Sequence, residues 1–161
     1  KADPRCRVGD LLRISPRSAA VQVKQIARMQ VGETEARKFL VIPEEGIELP
    51  MVLFSPLRNS SPNGKLYVLL HPDGMEVTAG SCEQKELTAA GAWVLCVDLR
   101  GMGETAYGQE SGRYLGFLDY DLCVAALKLG TTQVGLWVQD LLAVERALHL
   151  HVAIDVGVAL H

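Results

Sequence analysis

Short apolar runs separated by turn residues dominate the middle of the chain. Residues 66–70 and 93–97 are almost wholly apolar, as expected of strands that are covered on both faces of a sheet. Between them, Ser81 is a candidate N-cap and Gly91 a candidate stop for a helix over 83–90. This order of strand, helix and strand predicts a parallel pair of strands in an α/β fold.

Further elements flank this unit. Two runs rich in β-branched and aromatic residues, 38–42 and 49–54, are separated by an acidic turn and predict an antiparallel hairpin. After the parallel strands, the pattern predicts helices over 119–129 and 134–148 and a closing strand over 153–160. In the second helix we expect an apolar face, with polar residues free to lie off that face. The apolar set is Leu136, Leu141, Val144 and Leu148, and the polar set is Gln139, Asp140, Glu145 and Arg146.

The first part of the chain has a weaker pattern. Residues 1–37 are predicted to be an N-terminal extension that is weakly structured or helical, in which residues 19–29 favour a helix or a strand. Residues 38–161 are predicted to form one domain, because the length of the chain suits a single hydrophobic core.

Composition excludes several functional classes. The chain is 48% hydrophobic with a formal net charge of −3, and its basic residues are scattered, so nucleic-acid binding is not expected. No uninterrupted apolar run approaches the roughly 18 residues needed to span a bilayer, so no membrane partner is expected. The four cysteines lack the paired spacing of a zinc site, and no metal or other cofactor is expected. The compartment is not indicated by the sequence.

Three segments carry candidate chemistry. The first apolar strand runs into His71-Pro-Asp-Gly74, the second into Asp98-Leu-Arg-Gly-Met-Gly-Glu-Thr105, and a later helix contains Gly135-Leu-Trp-Val-Gln-Asp140. In this order and spacing, residues from about 38 to 148 resemble the α/β-hydrolase superfamily, nearest to its branch of acetyl xylan esterases and dienelactone-hydrolase-like proteins. The resemblance implies a partial α/β-hydrolase sheet, with an antiparallel hairpin followed by parallel strands and flanking helices.

The resemblance also implies roles for both loops. The loop after the first parallel strand supplies a backbone amide to the oxyanion in this family, and since Pro72 has no amide, the candidates here are Asp73 and Gly74. The alternative is that His71 and Gly74 only turn the chain.

The second loop is expected to be structural. Asp98 and Arg100 are expected to fix it through charge-assisted hydrogen bonds, while Gly101 and Gly103 allow its tight backbone.

The reactive residues of such a hydrolase are missing from the sequence. There is no Gly-x-Ser-x-Gly, and no serine is flanked by glycines as a nucleophile elbow requires. The resemblance places that elbow after the fifth strand, so we expect the N-terminal half of the fold without a usual triad. His71 and His161 are the remaining candidate catalytic residues, whereas His149, His151 and His161 are a poor metal set without an acidic or cysteine partner.

Three functions follow from the sequence. The first is a domain of esterase lineage that is not catalytically competent alone. The second is a carboxylic ester hydrolase with an unconventional or inter-subunit site, and the third is a scaffold that binds a small ester, an acyl ligand or a partner near His71, Asp73 and Met102. An open sheet edge beyond the last strand predicts a homo-oligomer.

Overall fold

The computed structural model describes residues 4–14, 20–57, 60–106, 118–151 and 157–158. These residues form a layered α/β structure around one mixed sheet. Its elements, in chain order, are α1 (Pro4–Leu12), β1 (Gln22–Val31), β2 (Thr34–Glu44), β3 (Ile47–Phe54), β4 (Lys65–Leu69), α2 (Met75–Thr78), α3 (Cys82–Ala89), β5 (Trp93–Val97), a short 3-10 helix (Gly103–Thr105), α4 (Leu118–Lys128), α5 (Gln133–His151) and β6 (Gly157–Val158).

The sheet has the strand order β1-β2-β3-β5-β4-β6. The strands β1, β2, β3 and β5 pair in an antiparallel manner, whereas β4 pairs parallel to both β5 and β6. The hairpin, the parallel pair and the flanking helices therefore confirm the fold class expected from the sequence. The closing strand is described over Gly157–Val158, where it pairs with Lys65 and Leu66 of β4.

The two faces of the sheet are covered by different helices. On one face, the buried side chains of β2, β3 and β5 pack with Ala143, Val144 and Ala147 of α5. On the other face, Phe54, Val94 and Cys96 pack with Met75 of α2 and, at the margin, Leu87 of α3. This burial on both sides explains why β5 is apolar at every position from Trp93 to Val97.

Local sequence determines the boundaries of α3. The side-chain oxygen of Ser81 accepts a hydrogen bond from the Gln84 amide, which satisfies a free donor at the first turn. Gly91, two residues after the helix, has a φ of +85°, and an added Cβ there would overlap the Ser61 carbonyl. The cap and the stop are thus where the sequence predicts them.

In the segment 1–37, the described residues 4–14 and 20–37 form two regular elements and the start of a third. Besides α1, it includes β1, which pairs with β2 from Gln22↔Ile42 to Val31↔Thr34 with one bulge between Gln25 and Ala27. The range 19–29, for which the sequence left helix and strand open, is a strand from Gln22 onward.

One residue of α5 lies elsewhere than expected. Asp140 was expected to be free to lie off the apolar face, but its side chain is fully buried. It is in phase with Ala143, Val144 and Ala147, which pack on the sheet, because residues three, four and seven positions apart share one face of a helix.

Candidate functional site

The candidate site lies at the carboxyl ends of β4 and β5. We call the segment 71–74 after β4 the first loop and the segment 98–105 after β5 the second loop. Since β4 and β5 are parallel neighbours, their following loops emerge at the same edge of the sheet, where α/β proteins commonly bind ligands.

Asp98 holds the two loops together. Its side chain is 1% exposed and accepts the Met75 amide, just after the first loop, at 2.5 Å and the Glu104 amide of the second loop at 2.8 Å. One backbone donor directly after the first loop and one in the second loop therefore converge on one buried carboxylate, and these charge-assisted hydrogen bonds fix the spacing of the loops.

Two glycines permit this close approach. Gly74 has a φ of +106°, and an added Cβ would overlap the Gly103 Cα. Gly103 has a φ of +50°, and its added Cβ would overlap the Asp98 carboxylate. Both positions combine a backbone conformation that favours glycine with a lack of space for any side chain.

Arg100 anchors the second loop to α5 rather than to Asp98. Its Nε donates to both carboxylate oxygens of Asp140, at 3.0 and 2.9 Å, and its Nη2 also donates to Asp140 Oδ1. Glu44 at the end of β2 accepts from Arg100 Nη1 at 3.1 Å, and Trp137 Nε1 donates to the Arg100 carbonyl at 3.0 Å. These charge-assisted bonds join the second loop to a helix and to a neighbouring strand.

The backbone amides of the first loop donate hydrogen bonds within that loop. The Asp73 amide donates to His71 Nδ1 at 3.2 Å, and the Gly74 amide donates to the His71 carbonyl at 3.0 Å. Both candidate oxyanion donors thus have partners within the loop in this conformation. An anion could take either amide only by displacing that hydrogen bond.

His71 is partly exposed at the start of the first loop. Its Nδ1 accepts the Asp73 amide and lies 3.7 Å from Asp73 Oδ2. A neutral imidazole whose Nδ1 accepts a hydrogen bond carries its proton on Nε2. In that tautomer neither ring nitrogen is available to take a proton from a nucleophile. His161, the other candidate, lies outside the described residues.

The remaining candidates have other surroundings. Met102 packs against the larger core cluster. Its neighbour Glu104, which was not a candidate, pairs with Lys38 of β2 at 2.7 Å. Gly101 is at a positive φ of 81° in the tight turn. His149 is exposed near the end of α5, whereas the side chain of His151 is outside the described set.

The described cysteines do not form a nucleophilic pair. Cys96 is buried in β5, and burial raises the pKa of its thiol to about 11, so the thiol stays protonated near neutral pH. Cys82 and Cys123 are exposed and free.

No group of three or more potential metal ligands occurs among the residues that the structure describes. Within the same residues, no helix is both long enough and apolar enough to cross a bilayer.

A groove of about 890 Å³ adjoins the second loop. Its described lining combines an apolar floor on β2 and β3 with glutamates of the strand ends and of the second loop. The residues are Ala20, Gln22, Leu40, Ile42, Pro43, Glu44, Glu45, Gly46, Glu48, Pro50, Glu104 and Thr105.

Comparison with solved structures places this geometry in a known fold. A Bacteroides fragilis NCTC 9343 protein assigned as an acetyl xylan esterase matches 97% of this chain with a TM-score of 0.68 at 16% sequence identity. Acetyl xylan esterase 1 from Thermoanaerobacterium sp. JW/SL YS485 matches 96% with a TM-score of 0.58 at 16% identity. An acetyl xylan esterase from Paenibacillus sp. R4 matches 97% with a TM-score of 0.55 at 16% identity.

The chain has a partial α/β-hydrolase fold. It spans about half the length of these structures, covering 44%, 47% and 49% of their chains. At this identity the likeness concerns the fold alone. No family model matches the sequence, and no curated protein sequence matches it.

The sequence reasoning missed the partner of Arg100. Asp140 is 40 positions away in the chain, and neither its type nor its immediate neighbours indicate which cation it pairs with. One signal was present: Asp140 is a charged residue in phase with the apolar positions Leu136 and Val144 of a helix. A charge in that position is expected to be buried and paired.

Proposed function

We propose that this chain is a domain of esterase lineage that forms the frame of an ester-cleaving site but is not catalytically competent alone. By the frame we mean β4, β5 and the two loops that follow them. The observation that carries the proposal is the pair of loops after β4 and β5, joined through Asp98 in a fold shared with acetyl xylan esterases. The first loop is where that fold offers an amide to an oxyanion, and the candidate donors here are Asp73 or Gly74, each of which would first give up its hydrogen bond to His71.

The frame lacks the reactive groups that acyl transfer requires. A serine nucleophile needs a strained elbow, a base within hydrogen-bond reach and an acid that orients the base. The sequence contains no Gly-x-Ser-x-Gly, and His71 uses Nδ1 to accept the Asp73 amide. Loop geometry and a candidate oxyanion donor stabilise a transition state only after a nucleophile has attacked, so they do not supply turnover by themselves.

The test is hydrolysis of a short-chain aryl acetate by the purified chain, with His71→Ala as a paired variant. We expect the chain and the variant to give the same rate as the buffer with an equal concentration of free imidazole. Turnover that saturates with substrate and disappears in His71→Ala would contradict the proposal and favour an unconventional or inter-subunit ester hydrolase.

A binding function is the second candidate, and the groove beside the second loop favours it. Concave sites that hold small molecules combine an apolar lining with a few polar groups, as Leu40, Ile42 and Glu104 do here. A short-chain ester or its free acid that binds the folded chain would raise the melting temperature without turnover. Leu40→Glu, which changes the floor of the groove, should abolish that shift.

A further inference from the structure

The groove beside the second loop is built on one face of β2 and β3. Successive side chains of a strand point to opposite faces of the sheet, so the odd-numbered and even-numbered positions of each strand are separated. The odd-numbered positions are buried in the larger core cluster, and the even-numbered positions between them line the groove. The core positions are Phe39, Val41, Leu49 and Met51, and the groove positions are Leu40, Ile42, Glu48 and Pro50.

The charged residues in the described lining of the groove are all acidic. They are Glu44, Glu45, Glu48 and Glu104. Glu44 accepts a hydrogen bond from Arg100 and Glu104 accepts one from Lys38, so these two carboxylates each have a cation of the chain beside them. Glu45 and Glu48 are exposed and form no ion pair within the described part of the chain. Two carboxylates at the groove are therefore available to a cation from outside.

The contact between Lys38 and Glu104 shows how an ammonium group is held at this groove. Lys38 Nζ donates to both carboxylate oxygens of Glu104, at 2.7 and 3.1 Å. A primary ammonium has three N–H donors and can bind other carboxylates in the same manner. The described lining contains no aromatic residue, so it offers no cation–π contact of the kind that holds quaternary ammonium groups. A primary ammonium therefore suits the groove better than a quaternary one.

The groove suits an organic cation better than a metal ion. Among the described residues, no three His, Cys, Asp or Glu side chains form a group that could hold a metal ion. The groove volume of about 890 Å³ is instead in the range of sites for small organic molecules. Its apolar floor favours a ligand with a hydrocarbon body, because each methylene removed from water contributes to binding.

We propose that the groove binds a small organic cation that consists of a primary ammonium on an aliphatic body. This inference rests on the binding function of the groove, the second candidate function, and it specifies the charge of the ligand. The aliphatic body packs on Leu40, Ile42 and Pro50, and the ammonium binds the carboxylates of Glu45 and Glu48. A carboxylate ligand of the same size is repelled by these charges.

The test is isothermal titration calorimetry of the purified chain with hexylammonium, hexanol and hexanoate at low salt. These ligands have the same alkyl chain and differ in charge. We expect hexylammonium to bind about fivefold more tightly than hexanol, and hexanoate to bind more weakly than either. Because salt screens exposed charges, about 0.5 M salt should remove most of the difference between hexylammonium and hexanol.

Three variants separate the contribution of charge from that of the apolar floor. Glu45→Gln with Glu48→Gln keeps the size of both side chains but removes their charges, so this double variant should bind hexylammonium about as weakly as hexanol. Glu145→Gln is the matched control, because Glu145 is exposed on α5, which packs on the opposite face of the sheet, and all three affinities should stay unchanged. Ile42→Ala shortens the floor and should weaken hexylammonium and hexanol by the same factor.

The outcomes distinguish this inference from the binding function on which it rests. Hexylammonium that binds no more tightly than hexanol would overturn the cationic ligand and leave a binding function of the groove in place. So would a preference for hexylammonium that persists in the double glutamine variant. If none of the three ligands binds, both the inference and the binding function are wrong. Far-UV circular dichroism checks that each variant retains the fold.

Discussion

The second loop, which follows β5, and the outer strand β1 of the same sheet are stabilised by different interactions. The loop carries buried charges with defined partners, because Asp98 accepts two amides and Arg100 pairs with Asp140. Strand β1 has eight exposed positions out of ten, and its pair Arg28–Glu35 has the arginine side chain 66% exposed. The conformation of the second loop is therefore fixed by a few buried polar contacts, whereas β1 is held in place by its backbone pairing with β2.

The largest expected effect concerns the buried pair of the second loop. Asp140→Ala leaves the Arg100 guanidinium with Glu44 as its remaining carboxylate partner, and we expect a loss of about 3 kcal/mol in the free energy of unfolding, measured by urea denaturation. Asp140→Asn keeps the size and one acceptor and should lose less. A loss below about 1 kcal/mol for Asp140→Ala would mean that the pair does not stabilise the loop.

Two glycines separate the cost of steric overlap from the cost of a left-handed backbone conformation. Gly103 and Gly46 both have a positive φ, of 50° and 80°, but only Gly103 is packed, against the Asp98 carboxylate, while nothing lies within 4 Å of a Cβ at Gly46. We expect Gly46→Ala to lower the free energy of unfolding by about 1 kcal/mol and Gly103→Ala by about 3 kcal/mol. Equal losses in the same urea titration would show that Asp98 moves freely to make room.

The smallest effect is expected for the exposed pair that links β2 to the second loop. Lys38 and Glu104 have side chains 33% and 42% exposed, so water and salt screen their attraction. Lys38→Ala should change the free energy of unfolding by less than about 1 kcal/mol, and the change should shrink further at 1 M salt. A larger loss of unfolding free energy that persists in high salt would contradict this, because it would show that the pair stabilises the fold as strongly as the buried contacts of the loop.

The same contrast explains how much of the fold was predictable from the sequence. Strands β4 and β5 were predicted to within one residue because both faces are covered and their runs are apolar. Helix α3 was predicted from Ser81 and Gly91, which have local roles. Strand β1 gave no clear pattern, since it has no consistently buried face and polar and apolar residues are both exposed along it.

The site was predictable only where its chemistry is local. The two loops could be placed from the strands that precede them, and the glycines marked the tight turns. The contacts of Asp98 with Met75 and of Arg100 with Asp140 span 23 and 40 residues in sequence, so they depend on how the chain folds. The hydrogen bond from the Asp73 amide to His71 Nδ1 depends on the loop conformation, which the residue types alone do not specify.

The central claim is that the chain forms the frame of an ester-cleaving site without a reactive nucleophile. The most direct measurement is intact-mass spectrometry of the folded chain after incubation with a fluorophosphonate probe, which reacts with activated serines. We expect an unchanged mass, with an active serine esterase labelled in parallel as the control. Stoichiometric addition of one phosphonyl group to a serine of the folded chain, absent when the chain is unfolded in urea before the probe is added, would contradict it.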